Sequence, residues 1–282
     1  MPPQPMTIYP VQAPVQVASF DLVQTIMDAL TQAELTLEDG DVLAISSKYM
    51  AISEGRIVQL ETVEVSTEAS ELAQRYGMVP AMAQLVLNEA DFVFGGIPFG
   101  FVLTANHGII SANAGMDRSN IPSGNVVLFS ADPFASTHAL WEKLTLQYGG
   151  IRLGIILTDS WLMPGRLGTT GLALAAAGFH PLEDERGKLD LFGNPMMVTV
   201  RAVADTLAVA AQTVMGERDE ATPLVVIRGA RVRFSSEPLS EADVAIDWRQ
   251  CLYIESLTTG IRSDEVIRVI ASAPPFGTPS KP

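Results

Sequence analysis

The chain is poor in the residues that most metal and redox chemistry uses. It holds one cysteine, Cys251, and three histidines, His107, His138 and His180, among 282 residues. A single cysteine excludes an internal disulfide and any cysteine-built zinc site. No two of the histidines have metal-ligand spacing. A reducing cytoplasm is the compartment that suits this cysteine count. Positive charge is scarce as well: Lys plus Arg total 18 against 32 for Asp plus Glu, a net charge of −14. A surface of that sign repels phosphate backbones, which argues against general nucleic-acid binding. An anionic ligand would need a local device, such as a metal ion or a nest of backbone amides. The longest uncharged run, Phe92 to Met116, has the length of a membrane span, but glycines, Pro98, Asn106, His107 and Asn113 break it. It reads as buried strands and turns, with no membrane segment. The opening MPPQPMTIYP lacks the charged and apolar regions of a secretory leader. Familiar motifs are missing too. GGIPFG has the glycine spacing of a phosphate loop, but Phe101 stands where that loop needs lysine. GxGxxG and GxSxG do not occur.

What is present is a strongly hydrophobic chain, 48% apolar, long enough to bury about three quarters of its unfolded surface. Ser19 is a candidate cap for a helix over residues 20–33, where Leu22, Ile26 and Leu30 share a face. DGDVLAISSK reads as a turn and a buried strand, and GRIVQLETVEV as a second strand. Helices are expected at 67–76 and 80–89. Asp132-Pro133 is the clearest helix start, an N-cap acid followed by proline, and that helix should end at Tyr148 before Gly149-Gly150. IRLGIILTDS is a buried strand with a polar end. A further helix spans 201–215, closed by Gly216, and the strand PLVVIRGARVRF follows. This alternation indicates an α/β (mixed α+β) architecture. Residues 1–10 and 271–282 read as mobile tails around a domain at 11–270, within which no linker is visible.

The stretch SANAGMDRSNIPSG, residues 111–124, sets Asp117, Arg118 and Asn120 among small residues. Gly, Asn, Asp and Pro are ordinary turn formers, so the loop is either a polar turn between strands or a ligand loop. Asp159 follows the apolar strand, at the end where open α/β sheets gather ligand groups; capping a turn is its other reading. Ser160 beside it offers a cap or a hydroxyl to a hard cation. GRLGTTG, residues 165–171, spaces three glycines around Arg166 and could aim amides at an anion. Glu217, just past the end of the helix, reads by itself as part of a solvated acidic turn.

Taken in order, ISSK…EGRIV, HGII-ANAG-DRSN, IILTDS, PLEDERGKLDLFG, AVADTLAVAAQTVMGE and P-VVIRG resemble the coenzyme F-420 γ-glutamyl ligase family, from about Asp41 to Arg228. AGMDRSN and AVAD…MGE are the most specific elements. The resemblance implies a family-specific mixed α/β fold and an intertwined homodimer with active sites near the subunit interface. It implies a cytoplasmic enzyme that adds L-glutamate to a carboxylate acceptor using GTP and Mg²⁺ or Mn²⁺, with a monovalent cation as a further candidate. By the same resemblance, Asp117 and Asp159 would hold a first divalent ion, and Ser160 and Glu217 a second. The nucleotide would touch Asn120, the pair Ser46 and Ser47, and the turn beginning Met215-Gly216. Carboxylates and hydroxyls are the ligands hard cations select, and two such ions would let an acidic protein hold a triphosphate. Arg166 would orient a carboxylate or phosphate.

The chain departs from the family at two places. Ile52 stands where the family has a nucleotide-binding lysine, with Lys48 four residues earlier. After Asp159-Ser160 the family typically reads Phe-Gly-Arg-Pro-Trp-Arg-x-Gly-Gln-Thr-Asp. Here Met163 replaces the first arginine, Gly165 the tryptophan, Thr169 the glutamine and Gly171 the aspartate. These changes point to an acceptor smaller or less anionic than the deazaflavin precursor. Two rival readings are a non-catalytic nucleotide- or deazaflavin-binding protein on the same fold, and a metal-dependent phosphohydrolase.

Overall fold

The computed structural model describes residues 5–247 and 250–254. Contacts divide the chain into Met1–Ala245 and Ile246–Pro282, a break where the sequence shows no linker. Of the second unit, residues 252–254 form a helical turn; the expected tail at 271–282 lies outside the described residues.

The first unit begins with β1 (Thr7–Val11), α1 (Leu22–Gln32), β2 (Asp41–Ser46), α2 (Ser47–Ser53) and β3 (Ile57–Gln59). Helices α3 (Thr67–Tyr76) and α4 (Pro80–Glu89) precede β4 (Phe92–Ile97), β5 (Phe101–Asn106), β6 (Ile109–Ala112) and β7 (Asn125–Val127). Then come α5 (Pro133–Gln147), β8 (Leu153–Leu162), β9 (Thr169–Ala177), β10 (Leu182–Asp184), β11 (Val200–Ala202), α6 (Val203–Met215) and β12 (Leu224–Arg228).

The main sheet has the order β1-β12-β2-β8-β9. Only β2 and β8 run parallel, in register from Asp41↔Leu153 to Ser46↔Thr158. Successive strand residues face opposite ways, and the core divides accordingly. Leu43, Ile45, Ile155 and Leu157 pack with Ile26, Leu30, Leu140 and Leu144 of α1 and α5. Val42, Ala44 and Ile156 pack with Leu207, Ala208 and Ala211 of α6. Helices on both faces explain why the central strands read as continuous apolar runs rather than alternating ones.

Several sequence expectations needed revision. The cap of α1 is Asp21, whose carboxylate accepts from the Gln24 amide at 3.0 Å; an acid one residue from the helix start outcompetes Ser19. Residues 7–10, expected in a tail, form with Val11 an edge strand antiparallel to β12. GRIVQLETVEV yields only the three-residue β3 before a 3₁₀ turn at Leu60–Thr62. The run from Phe92 to Met116 does form strands, β4-β5-β6. Ile97, Phe101 and Leu103 are exposed on them, however. Among the described residues no helix is long and apolar enough to cross a membrane.

Glycines mark two close approaches. At Gly115 (φ +71°) a Cβ would collide with the Phe129 ring. At Gly171, in the β9 segment paired to Ser160, a Cβ would lie 2.5 Å from the Ala208 carbonyl oxygen of α6. That contact supplies a packing reason for glycine where the related family carries aspartate. Gly171→Ala should therefore lose about 1–3 kcal/mol of unfolding free energy through overpacking. Urea denaturation compared with wild type measures it, and an unchanged midpoint would show that α6 yields freely.

Candidate functional site

The parallel pair β2 and β8 ends side by side, and the site is built on those ends. Ser46 closes β2 and occupies the N-cap position of α2, yet its side chain makes no capping hydrogen bond. Ser47 is buried in the first turn of α2 and donates from Oγ to Asp159 Oδ2 at 2.6 Å. Asp159 Oδ1 accepts from the Ser160 amide at 2.7 Å. The β-bulge between Leu157 and Thr158 shifts the register of β8 against β9 immediately before these residues.

The 111–124 loop arrives from the other side. Asp117 accepts from the Ser119 amide at 2.7 Å and the Ser119 hydroxyl at 2.9 Å, and its backbone bridges Val127 of β7. The polar-turn reading is thus correct as far as it goes. It does not account for Lys48, which reaches from α2 to place Nζ 2.5 Å from Asp117 Oδ2. Asn120 takes a left-handed φ of 52°, a conformation asparagine tolerates better than most residues.

From the third direction, α6 ends at Met215 and Gly216. Ser160 Oγ donates to Glu217 Oε1 at 2.7 Å. Gln212 Nε2 lies 2.6 Å from Ser160 Oγ and 2.5 Å from Glu217 Oε1. Gln212 Oε1 is buried without a hydrogen-bond partner, so the amide binds this cluster with its nitrogen end alone.

One cavity of about 690 Å³ joins these groups. Ser46, Asp117, Asn120, Asp159, Ser160, Met215, Gly216 and Glu217 all line it. Ser47 does not; it supports Asp159 from beneath. Arg166 is exposed on the β8–β9 connection and is absent from the lining. Three contributors carried no site role in the sequence reading: Lys48, noted there only for its spacing from Ile52, Gln212, and the segment Ala13–Val17 that forms one wall. The i, i+4 spacing of Lys48 and Ile52 on one helix face was the available signal for the first. The spacing of Gln212 one helical turn ahead of Gly216 was available for the second. Nothing in APVQV pointed to the third.

The electrostatics set the two aspartates apart. Burial pushes Asp117 up, but the Lys48 ammonium and the Ser119 donors outweigh it and hold the carboxyl below its ordinary value. Burial likewise raises Asp159, to about 6, and the negative charge of Asp117 adds to the rise. Hydrogen bonds from Ser47 and the Ser160 amide, with the Lys48 charge, only partly oppose it. Two carboxylates that disfavour each other's charge, with a hydroxyl alongside, fit a hard cation. Among the described residues no three His, Cys, Asp or Glu side chains converge. Hydroxyl and substrate oxygens would have to complete any coordination shell.

The sign of the stability effect follows. With a folded pKa of about 6 against an ordinary 3.8, the penalty is absent below pH 3.8, grows as pH rises, and is complete above pH 6. Asp159→Asn should therefore match wild type near pH 4 and exceed it at pH 7.5, by no more than about 3 kcal/mol. Urea unfolding at the two pH values tests this, and a variant less stable than wild type at pH 7.5 would contradict it.

Residues 10–229 match the sequence profile of the F420-0:Gamma-glutamyl ligase family. The coenzyme F420:L-glutamate ligase of Methanopyrus kandleri is 38% identical over 195 residues, 69% of this chain and 77% of the relative. Those of Methanothermobacter thermautotrophicus and Archaeoglobus fulgidus are 35% and 36% identical, covering 75% and 79% of this chain and 84% and 90% of the relatives. The cavity lined by Ser46, Asp117, Asp159, Ser160 and Glu217 thus sits in a chain that belongs to the F420-0:gamma-glutamyl ligase family of enzymes.

Proposed function

We propose that this chain forms an amide bond between L-glutamate and a carboxylate acceptor, in the cytoplasm, at the expense of GTP. Membership of a glutamate ligase family supports the reaction class. The single observation that carries the site assignment is the convergence of Asp117, Asp159, Ser160 and Glu217, from three separate segments, on one cavity. In this reading Asp117 and Asp159 hold one divalent ion, and Ser160 and Glu217 a second, with Mg²⁺ and Mn²⁺ both suited to such oxygen donors. When bound, these ions would neutralise charge on the phosphates.

The protein's own part is positional. Ser47 and the Ser160 amide fix the Asp159 carboxylate, and Gln212 holds Ser160 against Glu217. Asn120, Ser46 and the Met215-Gly216 turn line the space for the nucleotide. The acceptor carboxylate attacks the γ-phosphorus, the bond to the β-phosphate oxygen breaks and GDP leaves. The glutamate amine then attacks the resulting acyl phosphate, releasing phosphate and giving up a proton to solvent. Arg166, exposed on the β8–β9 connection and outside the cavity lining, is assigned on the family resemblance to orienting an acceptor carboxylate or phosphate.

A second reading, nucleotide binding without turnover, draws on Ile52, buried at 4% exposure in the cavity wall where the family has lysine. GTP consumption in step with a mass gain of one glutamate on the acceptor supports the ligase, and binding without either supports the second reading. Asp117→Asn and Asp159→Asn should each abolish Mn²⁺-dependent GTP binding while the fold persists; calorimetry showing unchanged affinity in both would remove the cation assignment.

The acceptor is proposed to differ from the family's deazaflavin. Leu162, Met163 and Leu167 are exposed on the β8–β9 connection, an apolar tip where the family places an arginine and a tryptophan. Loss of a charge-assisted hydrogen bond and a stack together costs roughly 2–4.5 kcal/mol. Side-by-side assays of the deazaflavin precursor and small carboxylic acids, with GTP, Mn²⁺ and L-glutamate, should favour the latter. Efficient glutamylation of the precursor would restore the plain family substrate.

A homodimer completes the proposal. Leu191 and Phe192, at the tip of the segment between β10 and β11, are 100% and 89% exposed. Apolar side chains carried that far into solvent fit a partner surface. Light scattering should give about twice the 30.2 kDa chain mass, whereas the mass of a single chain at micromolar concentration would argue against it.

A further inference from the structure

Lys48 stands out because it is a cation at the cation site. All three of its ammonium donors are engaged: Asp117 Oδ2 at 2.5 Å, the Ser119 carbonyl at 3.0 Å and the Ser119 hydroxyl at 2.7 Å. A lysine in the first turn of a helix is disfavoured by the helix dipole, so α2 itself gives no reason for it. Its side chain is 21% exposed, and it lines the same cavity as Asp117 and Asp159. The ammonium therefore occupies a compact set of oxygens and supplies the positive charge that Asp117 would otherwise lack.

A divalent ion bound to Asp117 must take that carboxylate from Lys48. It must also tolerate a positive charge one side-chain length away, in a partly desolvated cavity where charges interact more strongly than in water. Without another anion, the displaced ammonium has only Ser119 oxygens and solvent. A polyphosphate in the cavity changes this balance, because its oxygens offer Lys48 a new partner and add negative charge beside the ion.

Building on the two-ion reading above, we propose that Lys48 is a positioning residue that guards Asp117. It keeps the cation-free site ordered, resists occupation by a lone divalent ion, and yields when an anionic nucleotide arrives. Cation and nucleotide then load together. The coupling is reciprocal by linkage: whatever factor nucleotide adds to cation affinity, cation adds to nucleotide affinity.

The test is Mn²⁺ titration of the full chain by calorimetry, first alone and then with saturating GDP, for wild type, Lys48→Met and Lys48→Arg. Lys48→Met removes the competing charge but keeps most of the apolar stem. It should bind Mn²⁺ about tenfold or more tighter than wild type in the absence of nucleotide, and the gain from adding GDP should shrink correspondingly. Lys48→Arg keeps the charge and should retain weak nucleotide-free binding. Nucleotide-free Mn²⁺ affinity in Lys48→Met that is equal to or weaker than wild type would overturn the guarding role while leaving the two-ion reading intact. Should Lys48→Met fail to fold, tight nucleotide-free binding by wild type or Lys48→Arg would overturn it equally. Absence of Mn²⁺ binding by wild type under both conditions would instead remove the cation site, and the guarding role with it.

Discussion

The parallel register of β2 and β8 is the constraint on which the rest of the site depends. Because Ser46 pairs with Thr158, the residues that follow them, Ser47 at the start of α2 and Asp159 on β8, are brought close enough for a 2.6 Å hydrogen bond. A slip of one residue would exchange the faces of β8 and carry Asp159 away from Ser47. The register is held by apolar side chains on both faces, Leu43 and Ile45 against one helix layer and Val42 and Ala44 against the other. Site geometry is thus inherited from core packing, and the exposed loops only bring further groups to a position already fixed.

That position concentrates negative charge in a protein that is already strongly acidic. Asp117, Asp159 and Glu217 lie on one cavity, and each is managed differently. Asp117 is neutralised by an ion pair, Asp159 is held by two hydrogen bonds but remains electrostatically unfavourable, and Glu217 is gripped by a hydroxyl and an amide. Nitrogen donors stand beside both proposed cation positions, Lys48 at one and Gln212 at the other. The resting protein thereby keeps its oxygen ligands ordered, which lowers the reorganisation needed when a ligand arrives.

How much of this was legible in the sequence depended on the distance over which each signal acts. Helix caps and stops are local, so α3, α4 and α5 were readable to within a residue. Asp21 escaped because Ser19, Phe20 and Asp21 offer two cap residues in three positions, and only the entering chain direction selects between them. Phe101 and Leu103 of β5 were misread as buried because hydrophobicity reports a preference for cover without saying which molecule provides it. Asp117, Asp159, Ser160 and Glu217 were found through an ordered family resemblance, not through spacing, since 42 residues separate the first pair and 57 the second. The contacts of Lys48 and Gln212 are invisible to that approach: they reach across 69 and 52 positions of chain, which only the fold brings together.

The resting site also carries a stability cost that bears on the proposed role of Asp159. A half-buried carboxylate with an elevated pKa is a liability that packing alone would remove by exchange for asparagine or leucine. An asparagine at Asp159 could still accept from the Ser160 amide through its one oxygen, and the Ser47 hydroxyl could turn to accept from the asparagine nitrogen. What an asparagine cannot supply is the charge. The chain keeps that charge next to a second aspartate whose own negative charge makes it costlier. Structural ion pairs do not explain this, because the available lysine is spent on Asp117 instead. A positive ligand between the two carboxylates, as in the proposed cation site, would relieve this cost, which is the sense in which the electrostatics of Asp159 fit that proposal.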